Sequence, residues 1–227
     1  MGAKAFTPEN SRIINMSPLR QWLIKQLDQL LCPGGVTGPE IRIDLHSDLF
    51  TALTNLNQDK YDHSAASMTC CTSFVSRVYG EARRAGGLPV VPKGQTVDDP
   101  TAQKYMPTFR MGDVAGNGPS SALRKAGCIY TWKTDPTGGP EPGDVYYVKD
   151  EKGDDKHISF VRQYLRGDMY ETYDGGFRHV KDGIKFTEEH TIPEDRLWWC
   201  DIDAAMSVLG VWTLKPEFKP AWDGLKR

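Results

Sequence analysis

The chain has 227 residues, of which 39% are hydrophobic and 26% charged, with a formal net charge of −2. That length suits one generous domain, since single cores rarely split below about 250 residues, and that composition excludes wholesale disorder. The near-balanced charge argues against nucleic acid as a partner, because such a partner calls for a basic face, and no apolar run approaches the ~18 residues of a membrane span.

Ser17-Pro18 joins an N-cap residue to a proline at the first helical position. Leu19, Trp22, Leu23, Leu27, Leu30 and Leu31 follow at helical spacing, and Pro33-Gly34-Gly35 ends the pattern. A second amphipathic helix is expected over 44–56, carrying Leu45, Leu49, Phe50, Leu53 and Leu56, so that 17–57 reads as a helical N-terminal part. A third starts near Thr69, carries Phe74, Val75, Val78, Tyr79, Ala82 and Ala85, and stops at Gly86-Gly87. Residues 88–142, rich in Pro, Gly, Thr and Asp, read as a loop-rich insertion with a short helix at 120–126. Strands are expected at 145–148, 158–164, 169–173, 198–202 and 208–214, with Arg166-Gly167-Asp168 as a hairpin turn and an extended strap after Lys215. Helices first and an antiparallel sheet after them is the order of an α+β fold, here a single domain over 1–227.

Five cysteines, Cys32, Cys70, Cys71, Cys128 and Cys200, are odd in number and scattered, with no C-x-x-C pair. That speaks against a disulfide framework and against a cysteine zinc site, and Cys32, Cys128 and Cys200 read as small buried hydrophobes. Cys70 and Cys71 fall in the first turn of the third helix, with Thr69 or Ser67 available as N-cap. A thiol is a nucleophile only as thiolate, and the unpaired N–H groups of a helix N-terminus favour that charge. Cys71 shares a stripe with Phe74, Val75, Val78 and Ala82, the face that packs on a sheet, whereas Cys70 lies above Ser73, Arg77 and Glu81. Cys71 is therefore the candidate nucleophile, with Cys70 kept as its alternative.

A nucleophilic thiol needs a base. His157 begins a strand, KHISFV, and strand ends commonly line sites, while His46, His63, His179 and His190 fall in helical or loop segments. A third group would hold the imidazole in one tautomer. Glu171 and Asp174 follow on the next strand, and alternation sends them to opposite faces, so only one can meet His157.

These residues carry a resemblance. Cys71-Thr72-Ser73-Phe74-Val75 resembles the Asp-Cys-Ser-Gly-Phe-Val motif of NlpC-type cell-wall peptidases. Pro142-Gly143-Asp144-Val145 is similar to the Pro-Gly-Asp turn that opens their first sheet strand, and His157-Ile158-Ser159-Phe160-Val161 to their His-Val-Gly-Ile-Val strand. Thr172-Tyr173-Asp174-Gly175-Gly176 resembles Thr-Ile-Glu-Gly-Asn in the related CHAP amidases, and Leu88-Pro89 also fits. The likeness spans Thr69 to Gly176. Cys70 stands where the family has Asp, Ser73 where it has Gly, and the stretch from Cys71 to Pro142 is longer than in compact members.

The resemblance implies a papain-like fold and a cysteine amidase or endopeptidase acting on peptidoglycan peptides without a cofactor or metal. Cys71 would be the nucleophile, His157 the base and Asp174 the orienting acid, with Glu171 as the alternative third member. Tyr105 and Trp132, beside Phe109 and Tyr130 in the insertion, would bind substrate in the cleft wall. The N-terminus, MGAKAFTPENSR, has no apolar signal core. A cell-wall amidase of that kind resembles the antibacterial effectors of type VI secretion systems, and some phage lysis enzymes. It would be cytoplasmic in the producing cell, act in the periplasm of a target cell, and have an immunity protein as partner. Three other readings stay open: a papain-like deamidase or acyltransferase acting on a protein through the same Cys71 and His157, a non-catalytic α+β binding domain with Cys71 buried, and a metal hydrolase built on Asp44, His46, Asp62 and His63, whose spacing lacks an H-E-x-x-H pattern.

Overall fold

A computed structural model describes residues 16–32, 42–43, 47–54, 71–88, 127–134, 138–149, 151–152, 155–166, 169–174, 179–180, 183–185 and 187–225. Ser17 opens helix α1 (Pro18–Leu31), its hydroxyl accepting from the Arg20 N–H at 3.2 Å. Leu19, Trp22, Leu23, Leu27, Leu30 and Leu31 are all buried, as their spacing requires. The second helix, α2 (Asp48–Thr54), is shorter than the 44–56 expectation because Ser47 caps it, accepting from the Phe50 N–H at 3.1 Å. Before it, Arg42–Ile43 form a short strand, β1. The third helix, α3 (Cys71–Ala85), buries Cys71, Phe74, Val75, Val78 and Ala82 on one side. It closes where Leu88 N–H reaches the Arg83 carbonyl and Gly87 N–H the Arg84 carbonyl, a reversal that needs the positive φ of 69° at Gly87. Cys70 and both proposed caps, Ser67 and Thr69, lie outside the described residues.

Six antiparallel strands form the main sheet in the order β2-β9-β3-β4-β5-β8. They are β2 (Ile129–Thr131), β3 (Val145–Lys149), β4 (Asp155–Arg166), β5 (Met169–Tyr173), β8 (Thr187–Thr191) and β9 (Leu197–Cys200). A small separate sheet pairs β7 (Gly183–Lys185) with β1 and with β6 (His179–Val180). Val145, Tyr147, Ile158, Phe160 and Tyr173 join the helices in one core, where Phe74 of α3 meets Phe160 edge to face at 6.1 Å. The alternate residues Tyr146, Val161, Tyr170, Leu197 and Trp199 form a second cluster with Ile192. The molecule is thus α+β with an antiparallel sheet. Among the described residues no helix is long and apolar enough to cross a membrane.

Several elements differ from expectation. Residues 129–131 of the loop-rich stretch form β2, held by register with β9 (Tyr130 opposite Trp199) rather than by any pattern of their own. The strand expected at 198–202 stops at Cys200, because Asp201 caps a helix, α4 (Ile202–Ser207), by accepting from the N–H groups of Asp203 and Ala204. No strand forms at 208–214: Thr213 N–H and Lys215 N–H bond to the carbonyls of Gly86 and Ala85 at the end of α3 instead of to a strand. The tail after Lys215 folds into turns rather than an extended strap, with Phe218 against Trp22 at 6.1 Å and Trp222 buried. His179 and His190 lie in strands β6 and β8, not in helix or loop. The expected helix at 120–126, the turn residues Gly167 and Asp168, and His46 and His63 lie outside the described residues.

Candidate active site

The turn that starts the sheet fixes the position of everything after it. Gly143 takes φ 93°, a conformation that suits glycine, and its N–H reaches the Val161 carbonyl at 2.8 Å, while Val161 N–H returns to Asp144 at 2.8 Å. This sets β3 against β4 with Tyr146 opposite Ser159 and Val148 opposite His157. On β5, Thr172 pairs with Val161, so alternation gathers Tyr146, His157, Ser159, Thr172 and the following Asp174 on one face.

His157, Asp174 and Cys71 meet there. The Nε2 of His157 bonds to Oδ1 of Asp174, and Cys71 lies beside the same ring, close enough to raise its pKa. Burial disfavours a charged imidazole, but the Asp174 carboxylate and the contact with Cys71 outweigh it and push the His157 pKa up to about 10. Cys71, His157 and Asp174 are each only 1% exposed.

Glu171 is held elsewhere. Its carboxylate accepts from Arg162 Nη1 and from Gln163 Nε2, the latter at 2.6 Å. Arg162 also donates to Asp28 of α1 at 2.8 Å, and Tyr173 donates its hydroxyl to the same Asp28 oxygen at 2.7 Å. The odd spacing between Glu171 and Asp174 separates the two carboxylates as alternation requires: one ties the sheet to α1, the other faces the imidazole.

Two further side chains at Asp174 were not among the sequence candidates. Tyr146 donates its hydroxyl to Oδ1 at 3.3 Å, and Thr172 donates to Oδ2. The signal that could have found them is strand alternation alone, which places both on the face of His157.

Trp132 packs edge to face on Trp199 at 5.6 Å, and Tyr130 lies on the same ring at 6.4 Å. Trp132 also lines a half-open cavity of about 890 Å3 with Arg20, Tyr164, Tyr170 and Glu194, and none of Cys71, His157 and Asp174 is among its described lining residues. Tyr105, Phe109, and the group Asp44, His46, Asp62 and His63 lie outside the described residues, among which no cluster of three or more His, Cys, Asp or Glu side chains could hold a metal.

No protein-family model, curated protein or solved structure matches the chain.

Proposed function

We propose that this chain is a papain-like cysteine amidase that hydrolyses amide bonds in peptidoglycan peptides. The observation that carries the reading is the His157 ring, bonded through Nε2 to Asp174, with Cys71 beside it. With Nε2 turned to the carboxylate, Nδ1 is the ring nitrogen that would take the thiol proton. An imidazolium in that contact favours a thiolate partner, and the first residue of α3 adds the positive end of a helix.

His157 takes the thiol proton, and the sulfur attacks the amide carbonyl carbon. The backbone N–H of Cys71, in the first turn of α3, donates to the oxyanion. His157 gives its proton to the departing amine, leaving a thioester. Water, deprotonated by the same ring, attacks the thioester and releases the acid. Because the three side chains are about 1% exposed, the substrate carbonyl reaches the sulfur only when neighbouring chain moves aside. The peptidoglycan substrate, antibacterial delivery and an immunity protein rest on the motif resemblance.

Incubating the purified protein with peptidoglycan and reading the fragments by mass spectrometry tests the proposal. The wild type is expected to release peptides with new amine and carboxyl ends, and Cys71→Ala to release none while keeping its circular-dichroism spectrum. Intact peptides after incubation with the wild type, or equal cleavage by Cys71→Ala, would overturn it.

A further inference from the structure

We infer that Tyr146 and Thr172 are positioning residues that fix the Asp174 carboxylate and, through it, the His157 ring against Cys71. The inference rests on the reading of Cys71, His157 and Asp174 as one site. A carboxylate bonded only to an imidazole can turn about its own Cβ–Cγ bond, and the ring turns with it. Here Oδ1 takes the Tyr146 hydroxyl at 3.3 Å beside the imidazole, and Oδ2 takes the Thr172 hydroxyl. Donors on both oxygens leave one orientation of the carboxylate plane.

Tyr146 does more than donate. Its ring stands edge-on to the His157 ring, with centroids 6.0 Å apart and planes at 60°. One side chain thus packs against the base and bonds the acid. Both hydroxyls are buried, Tyr146 at 1% and Thr172 at 0% exposure, so water does not compete for Asp174 there. Burial, reinforced by the nearby Asp174 charge, holds the phenol well above its ordinary pKa, and it remains a donor at any pH at which the protein works. Asp174 after β5, Cys71 from α3 and Tyr146 from β3 face the imidazole. Thr172 reaches it through Asp174. Neither hydroxyl touches the reacting atoms, so both act through another residue.

The test needs no substrate. The rate of Cys71 alkylation by iodoacetamide is followed against pH, with the modified residue located by mass spectrometry. The wild type is expected to show its midpoint below the ~8.5 of an ordinary thiol. Tyr146→Phe and Thr172→Val, which remove one donor each, are expected to move that midpoint up by about one pH unit, a tenfold smaller thiolate share below it. Thr172→Ser is expected to restore the wild-type midpoint. A merely structural role would alter the rate at every pH without moving the midpoint. Variant profiles that overlay the wild type overturn the inference and leave the site reading intact. A wild-type midpoint near that of an ordinary thiol ends both. If Tyr146→Phe does not fold, the Thr172→Val and Thr172→Ser pair decides.

Discussion

The guanidinium of Arg20 lies 2.7 Å from the carboxylate of Asp144, joining the first turn of α1 to the Pro142-Gly143-Asp144 turn that opens β3. The same guanidinium reaches Asp203 at 2.6 Å, Asp201 at 3.0 Å and the Pro142 carbonyl at 2.9 Å, and it is 3% exposed. Asp144 in turn accepts from the N–H groups of Glu141 and Ile202, at 2.8 and 3.1 Å. One side chain from the start of the chain therefore fixes the turn and the head of α4.

Arg20→Met leaves Asp144 buried without its counter-charge, beside two further carboxylates. Breaking a buried ion pair from one side costs about 3–5 kcal/mol. The expected result is an unfolding free energy lowered by that amount, read as a lower urea midpoint at unchanged slope. Arg20→Lys should recover only part of the loss, because one ammonium cannot reproduce the fork. A variant as stable as the wild type would show that desolvation cancels the attraction at this site.

Asp174 and Glu171 should differ in what their loss does to turnover. Asp174→Ala is expected to slow turnover by about 10²-fold or more, since the imidazole loses the group that orients it. Glu171→Ala should leave turnover within a few-fold and lower stability by about 1–3 kcal/mol, because Arg162 loses a buried partner. Steady-state rates and unfolding curves for both variants check this. The reverse ranking of rates would make Glu171 the third member.

The pH dependence follows from His157, whose pKa is raised from 6.5 to about 10. Between those two values the folded chain binds more protons than the unfolded one. The pairing with Asp174 therefore stabilises fully below about 6.5 and fades as pH rises through about 10. Asp174→Asn removes the charge and should flatten this slope. Unfolding free energies across that window should show the wild-type advantage over Asp174→Asn shrinking with rising pH; a constant gap would mean that the imidazole is not held protonated by the carboxylate.

Helix α1 was legible because its signals are local: a Ser17-Pro18 start and leucines on one face. So were the central strands, whose β-branched and aromatic residues declare them. Two failures run the other way. The segment 208–214 has the composition of a strand, yet the N–H groups of Val208, Leu209 and Gly210 go to carbonyls of α4 and that of Thr213 to the Gly86 carbonyl after α3. Residues 187–191, Thr-Glu-Glu-His-Thr, carry no apolar alternation and yet form the edge strand β8, because β5 offers a free edge to pair with. β2 likewise exists through its partner β9.

The amino-acid order by itself determined which side chains could share a face: Cys71 with the buried stripe of α3, and Asp174 apart from Glu171. Those choices follow from the periods of helix and strand, which act over a few residues. Only the tertiary structure decided that the face of Cys71 meets the strand of His157, that Tyr146 and Thr172 close around Asp174, and that Trp132 packs on Trp199. Such meetings join residues far apart in the chain, and they are settled by the packing of one core, in which no local pattern records the partner.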